Sequence, residues 1–208
     1  SGEMNLNGTD SWVGKVVQNN GVLNYPELTE NGALESNAGE LNINSGKLTI
    51  ETSSYIMSTT EMNLLKVAEM LIAGGEVSVN GNDNWSGKIT LNSGTLNLAE
   101  LNSNGLLNAN AGNLNVTSGE LLISENSFVK QAVATVISNG ATVELNGGRI
   151  ELNDSDTWTG LIEAVNGELN ISDLEFSPAQ LNIADENNSN VSVSTENAVI
   201  NLVGSVGN

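Results

Sequence analysis

The sequence predicts an all-β fold: a right-handed parallel β-helix (solenoid) with a 73-residue internal repeat of three to four coils. Two observations carry this prediction. One local phrase returns at a constant spacing, and short segments of alternating apolar residues, each preceded by glycine, recur along the chain. A fixed period is typical of repeat proteins, in which each unit packs against its neighbours. Such a chain is expected to bind, space or assemble along an extended surface.

The repeated phrase surrounds a tryptophan. It reads NGTDSWVG, NGNDNWSG and NDSDTWTG around Trp12, Trp85 and Trp158, which are evenly spaced along the chain. About half of positions 3–50 are identical to the corresponding positions of 76–123. Agreement at this level over so long a stretch indicates an array of one unit copied without a gap.

The copies divide the chain into repeats 3–75, 76–148 and 149–208, of which the last is incomplete. We expect all three to belong to one solenoid segment, 1–208, because no linker separates them. The chain begins directly on a repeat, so we interpret it as a segment of a longer array. Ser1 and Gly2 precede the first repeat and carry no prediction about the fold.

The strands are predicted from the pattern glycine, any residue, leucine, any residue, aliphatic. Apolar side chains at i and i+2 point to the same side of a strand, and the residue between them points outward. A coil of about 18–24 residues gives three or four coils in each repeat. Outward asparagines on successive coils are expected to stack as amide ladders. The pattern occurs at 39–43, 46–50, 94–98, 112–116, 119–123 and 167–171.

One stretch, 61–72, has two interpretations. The preceding Ser58-Thr-Thr-Glu61 resembles a helix capping box, and Gly74-Gly75 would end a helix. The equivalent stretch one period later, 135–145, alternates like a strand and contains a glycine. Because equivalent positions should adopt equivalent structure, the strand is favoured.

Composition narrows the partners. The 208 residues carry 25 acidic and 6 basic side chains, a formal net charge of −19. Nucleic acid and anionic membrane surfaces are disfavoured, since phosphate recognition needs clustered Lys and Arg. Cysteine is absent, which excludes disulfides and thiolate metal sites. No apolar run is long enough to cross a bilayer, so membrane insertion of this segment is not expected. The 34 asparagines and 22 glycines favour tight turns.

The stretch NGNDNWSGKITLNSGTLNL at 80–98 resembles the autotransporter-associated β-strand repeat, as do 7–25 and 153–171. The shared outline is a small polar turn, an aromatic residue, glycine two residues later, a strand, and then glycine-x-leucine. The resemblance implies a secreted or cell-surface passenger region of a Gram-negative bacterium, folded as a right-handed β-helix and serving export and stalk formation. This sequence has Trp where that family more often has Tyr.

The tryptophans are the first candidate site. If Trp12, Trp85 and Trp158 were exposed on one face, they would form a ladder of sugar-stacking platforms. The competing interpretation places each indole in a corner, with the glycine two residues later making room for it. The corner is favoured, because a large aromatic residue in a repeat is more often packed than presented.

The aspartates of the same phrase are the second candidate. The oxygens of Asp10, Asp83 and Asp156 could hold Ca²⁺ weakly, since hard cations prefer carboxylate and carbonyl ligands. One carboxylate per turn is little charge for a tight site. Asx-turn formation is therefore the simpler interpretation, and no resident cofactor is expected.

Catalysis is not expected. The chain has no histidine and a single arginine, Arg149, so Ser–His and Cys–His chemistry is excluded. A carboxylate could serve as a general base, but no acidic cluster recurs on stacked strands.

The expected function is an extracellular structural or adhesive segment, a stalk or passenger of a bacterial surface protein that engages host or matrix glycans or proteins. A second hypothesis is self-association into a filament, sheath or surface layer through the open strand edges of the solenoid. A glycan-binding face built from the repeated Trp is the third.

Overall fold

We describe the chain from a computed structural model, which defines residues 2–7, 12–28, 30–130, 133–172, 180–183 and 191–196. These residues form β-strands, turns and bends, and none of them is helical. The strands are β1 Glu3–Asn7, β2 Lys15–Gln18, β3 Val22–Glu27, β4 Ala33–Ser36, β5 Gly39–Ile43, β6 Gly46–Glu51, β7 Tyr55–Ile56, β8 Thr60–Leu64, β9 Ala68–Val79, β10 Asn84–Trp85, β11 Lys88–Leu98, β12 Leu106–Ala109, β13 Gly112–Val116, β14 Gly119–Ser124, β15 Phe128–Val129, β16 Val133–Ile137, β17 Ala141–Leu152, β18 Thr157–Trp158, β19 Leu161–Ser172, β20 Gln180–Ile183 and β21 Val191–Glu196.

Every strand pairing among the described residues is parallel, and paired strands lie three straight segments apart along the chain. Thus β1 pairs with β3, β3 with β5, and β5 with β8. Counted in residues along the chain, the shortest separations between paired residues include that of Lys88 and Leu106, and the longest is that of Gly167 and Val191. The chain therefore coils with three sides to a turn, which confirms the parallel β-solenoid. Its right-handedness stays a prediction.

The three sides of successive turns stack into three faces. The first face begins with β1, β3, β5, β8 and β10, and the order of sides continues it with Leu101, β14, 141–145 of β17, 161–164 of β19 and β20. The second contains β2, β4, β7, 76–79 of β9, 95–98 of β11, β13, β16 and β18. The third contains Leu28, β6, 68–72 of β9, 88–91 of β11, β12, β15, 149–152 of β17, 168–172 of β19 and β21, nine rungs in all.

The core is the column of aliphatic side chains that the alternation points inward. On the first face, Leu23, Leu41 and Met62 lie in register on successive rungs and are at most 3% exposed. Their outward neighbours are half-buried or exposed. Each coil alone exposes its apolar side, and stacking removes that surface from water, so the favourable free energy accumulates rung by rung.

Glycine at the corners permits the close approach of successive turns. Gly46 has φ of 79°, in the left-handed region that side chains avoid. A Cβ built there would lie 2.0 Å from the carbonyl oxygen of Leu28 on the preceding turn. The glycine before each predicted strand is therefore required both by the bend and by the stacking distance.

The stretch 61–72 forms two strand segments joined by a turn at 65–67. It lies in β8 and the start of β9, and these strands pair in register with β5 and β6 of the preceding turn. The strand prediction is confirmed, and the resemblance of Ser58–Glu61 to a helix cap was misleading.

The 73-residue repeat and the turn of the solenoid are out of phase. Repeat 76–148 contains eleven straight segments: 76–79 of β9, β10, 88–91 of β11, 95–98 of β11, Leu101, β12, β13, β14, β15, β16 and 141–145 of β17. Eleven segments at three per turn make three and two-thirds turns. Equivalent residues therefore lie on different faces, one-third of a turn apart. The column β1, β3, β5 and β8 belongs to one sheet, whereas its equivalents in β9, β11, β13 and β16 belong to the other.

Candidate functional site

The repeated Trp phrase forms a corner that encloses the indole. Trp85 and Trp158 are 2% and 5% exposed. Their Nε1–H groups donate to the carbonyl oxygens of Gly87 and Gly160 at 3.1 and 2.9 Å. This burial contradicts the exposed rings that a sugar-stacking ladder needs, and it agrees with the corner interpretation.

The glycine of the phrase serves the backbone more than the indole. A Cβ on Gly87 would lie 2.4 Å from the carbonyl oxygen of Leu65 and 2.5 Å from that of Ala68, both on the preceding turn. The expected reason for this glycine, room for the indole, is therefore secondary. The tight contact is between two backbones.

Trp12 differs from its two equivalents. Its ring is partly buried and stacks on that of Tyr25, with the centroids 6.0 Å apart and the planes 11° apart. Neither the Nε1–H of Trp12 nor the hydroxyl of Tyr25 has a hydrogen-bond partner among the described residues. Burial raises the pKa of the Tyr25 phenol well above its ordinary value.

The three tryptophans also occupy three different faces. Trp85 belongs to β10 on the first face, and Trp158 belongs to β18 on the second. Trp12 stands in the segment between β1 and β2, which the order of sides assigns to the third face. The one-third-turn offset of the repeat produces this arrangement, so the indoles cannot line up along one surface.

The aspartate of the phrase accepts two backbone hydrogen bonds. One oxygen of Asp83 accepts from the backbone N–H of Asn80 in its own turn, and the other from that of Met62 in the preceding turn, both at 2.7 Å. Asn80 in turn accepts from the N–H of Asn82 at 2.9 Å, which closes an Asx turn. The carboxylate thus replaces a missing carbonyl where the strand β10 is very short.

The same bonds recur one repeat later. Asp156 accepts from the backbone N–H groups of Thr135 and Asn153 at 2.6 and 2.7 Å. Burial raises the pKa of Asp156 to about 6, against the opposing effect of these two bonds. Burial likewise raises the pKa of Asp83.

These contacts leave no support for a calcium site at the two aspartates. Both oxygens of Asp83 and of Asp156 face backbone N–H groups, which a cation would have to displace. Within the described ranges no group of three or more acidic side chains is placed to hold a metal ion. Asp10, the third predicted ligand, lies outside the described residues.

Other recurring polar side chains also bond the backbone of a neighbouring turn. The Asn31 amide accepts from the N–H of Thr49 and donates to its carbonyl oxygen, both at 2.7 Å. Asn104, the equivalent residue of the second repeat, makes the same pair of bonds to Leu122. Each amide mimics a peptide group where the backbone leaves the sheet. Ser54 and Ser127 act similarly, accepting from Leu34 and Leu107.

The predicted amide ladder is present and confirmed. On the first face, Asn24 donates to Asn5, Asn42 to Asn24, and Asn63 to Asn42, each at 2.8 Å. On the second face, the equivalent contact joins Asn115 to its neighbour on the preceding rung at 2.8 Å. Outward polar groups are therefore bonded to one another along the axis.

A column of glutamates lies on the outward side of the first face. Glu144 and Glu163 are in register on successive rungs. A hydrogen bond with the Glu144 carboxyl, followed by burial and the negative charges of Glu144 and Glu163, raises the pKa of Glu120. Glu120, Glu144 and Glu163 do not line the cleft beside Phe128.

Two aromatic residues that the sequence analysis passed over do point outward. Tyr55 in β7 and Phe128 in β15 occupy equivalent positions of the first two repeats, and both rings are half-buried. The following residues, Ile56 and Val129, are the inward ones, at 0% and 2% exposed. The alternation within these short strands carried the signal, which the more conspicuous tryptophans obscured.

An open cleft with a volume of about 540 Å³ lies beside Phe128. The corner of β17 and the adjacent rung of β19 complete it. Its lining consists of Asn126, Ser127, Phe128, Lys130, Gly147, Gly148, Arg149, Gly167 and Glu168.

Comparison of the chain with protein-family models, with curated proteins and with solved structures finds no match. The relation to autotransporter-associated repeats therefore stays a prediction from the Trp phrase. No described helix is long and apolar enough to cross a membrane.

Proposed function

We propose that this chain is a structural spacer: a rod-like segment of a bacterial surface protein that sets a distance and does no chemistry along its length. The observation that carries the proposal is the use made of the recurring polar residues. The aspartates, asparagines and serines shared between repeats bond the backbone of an adjacent turn. What the repeat retains is the means of stacking one coil on the next.

The pairing pattern supports the same role. Paired strands of the described residues lie three straight segments apart, from β1 and β3 to β19 and β21. Such an array lengthens by a constant step, because each added turn contributes one inter-strand spacing of about 4.8 Å. One 73-residue repeat of three and two-thirds turns then adds about 18 Å.

The extracellular location rests on the resemblance of the Trp phrase to autotransporter-associated repeats, which in that family belong to stalks. Spacer function itself does not depend on this resemblance. A continuous core and polar groups that are bonded along the axis support it.

Small-angle scattering and electron microscopy of purified chains test the proposal. The 208-residue chain is compared with a variant in which residues 76–148 are present twice. We expect monodisperse rods whose length grows by about 18 Å. A particle that grows in all directions would contradict the spacer. Ordered polymers at higher protein concentration would instead favour self-association through the solenoid edges, the second hypothesis.

A further inference from the structure

The cleft beside Phe128 on the third face has a chemistry that stacking does not require. Phe128 points outward from β15, and Arg149 of β17 stands directly next to it in register. Glu168 of β19 follows Arg149 on the next rung. The cleft volume of about 540 Å³ falls within the range of about 300–1,000 Å³ typical of small-molecule sites.

One cation lies over this aromatic ring, and a second follows Phe128 in register on the next rung. The Lys130 Nζ atom lies 4.8 Å from the centroid of the Phe128 ring. Arg149 contributes a guanidinium whose side chain is 52% exposed. The whole chain has only six basic residues against 25 acidic ones. Two of these six lie beside one aromatic residue, and Arg149 is paired there with Glu151 and Glu168.

The Arg149 guanidinium retains donors for a ligand. Its Nη2 contacts Glu151 at 2.5 Å, and its Nε lies 3.5 Å from a carboxylate oxygen of Glu168. These two ion pairs orient the planar group, which carries five N–H donors in all. A guanidinium held in this way can bind a further carboxylate through two parallel N–H bonds.

The equivalent corner one repeat earlier has the same backbone and different charges. Gly74, Gly75 and Gly94 stand where the cleft has Gly147, Gly148 and Gly167. The ring is retained as Tyr55, but Met57 and Glu76 replace Lys130 and Arg149. The glycines are required by the close approach of the turns, since a Cβ on Gly75 would lie 2.3 Å from the Ser54 carbonyl oxygen. The cations are not required for stacking.

We propose that the cleft around Phe128 binds a saccharide that carries a carboxylate, such as an oligomer of a uronic acid. The C–H face of one sugar ring lies against Phe128, and Lys130 and Arg149 hold the carboxylate. Glu168 and the Asn126 amide face the hydroxyls. The flexible ammonium of Lys130 moves from the aromatic ring to the carboxylate as the sugar enters. This binding role is separate from that of a spacer.

The test is calorimetric titration of the 208-residue chain with trigalacturonate and with a neutral trisaccharide of the same length. We expect one binding site for trigalacturonate and none for the neutral sugar. Arg149→Gln and Lys130→Gln should each weaken binding at least tenfold, and added salt should weaken it further. Tyr55→Phe at the acidic corner should leave the affinity unchanged.

Circular dichroism and the melting temperature check that each variant folds. Arg149 and Lys130 are exposed, so replacing them should leave the spectrum and the melting temperature unchanged. Absence of any heat of binding at about 10 mM trigalacturonate would overturn the proposal, because that concentration is ten times a millimolar dissociation constant. So would equal binding of the neutral sugar, or an unchanged affinity of the folded Arg149→Gln variant. Rods of the expected length with no trigalacturonate binding would leave the spacer intact and remove only this site.

Discussion

The corner at Trp85 and the corner at Trp12 have the same sequence pattern but differ in how well their polar groups are satisfied. Trp85 is enclosed and donates to the Gly87 carbonyl oxygen. Trp12 is only partly buried and stacks on Tyr25, and neither polar atom of this pair has a described partner. In the second repeat the position of Tyr25 is occupied by Leu98, which is 0% exposed.

This difference separates the requirements of the fold from the options of one repeat. The buried indole, the tight glycine and the bonding carboxylate recur in the second and third corners. The first corner substitutes an aromatic stack for the indole hydrogen bond. A corner therefore needs a large aromatic side chain to fill it, whereas the hydrogen bonding of that side chain can vary.

Replacing the tryptophan of a corner should have the largest effect on stability. Trp85→Ala removes an enclosed ring from the core and should lower the free energy of unfolding by about 3–5 kcal/mol. Trp12→Ala should cost clearly less, because part of that ring is already in water. Urea unfolding followed by circular dichroism measures both. Equal losses for the two variants would show that the corners are energetically alike despite their different burial.

The corner glycines give the next largest contrast. Gly87→Ala places a methyl group 2.4 Å from the Leu65 carbonyl oxygen, so we expect a loss of about 1–3 kcal/mol. Gly14→Ala, the matched change at the first corner, meets no described atom within 4 Å and should be nearly neutral. Melting temperatures of the two variants check this. A destabilising Gly14→Ala would contradict the looser first corner.

The buried carboxyl predicts a dependence on pH. The folded-state pKa of Asp156 is about 6 and its unfolded value is about 3.8, so the folded chain binds protons more tightly. The stabilisation that protonated Asp156 gives to the folded state is therefore fully present below pH about 3.8. This stabilisation is lost as the pH rises through about 6. We expect the chain to gain on the order of 1–2 kcal/mol from this group between pH 7 and pH 5.

Melting curves at pH 7 and pH 5 measure this gain. Asp156→Asn should reduce the difference between the two conditions, whereas Glu125→Gln, a change at an exposed carboxyl, should leave it nearly intact. A stability that falls steadily from pH 7 to pH 5 in the unaltered chain would show that the two backbone hydrogen bonds outweigh burial.

The smallest effect concerns the tyrosine hydroxyls. Tyr25→Phe removes a buried hydroxyl with no described partner, so stability should stay constant or rise by up to about 1 kcal/mol. Tyr55→Phe is the control, because its hydroxyl donates to Asn37 at 3.0 Å and its loss should cost about 0.5–1.5 kcal/mol. Chemical denaturation of both variants decides between these signs. A destabilised Tyr25→Phe would indicate that this hydroxyl is satisfied.

The sequence was sufficient to predict the solenoid, the strands at 61–72 and the amide ladder of Asn24 and Asn42. These features depend on local alternation and on a spacing close to one turn, both of which can be read along the chain. The favoured corner position of Trp85 was also correct, because a large aromatic residue in a repeat is more often packed than exposed.

Two features could not be predicted, because each depends on how successive turns are arranged. The bond from Met62 to Asp83 joins two successive turns, and its existence depends on which side of which turn is short. The outward ring of Phe128, by contrast, was overlooked although the alternation of Phe128 and Val129 within β15 indicated it. The rotation of the repeat depends on a count of eleven sides, whereas the length of the repeat fits either three or four coils.

That count has an evolutionary consequence. Since a repeat ends after a whole number of sides but not of turns, duplicating or deleting one copy preserves every strand pairing and every corner. Such an event also swings all distal parts of the molecule by one-third of a revolution about the long axis. Recombination between copies can thus redirect whatever the rod carries, as well as lengthen or shorten it, and three copies restore the original heading.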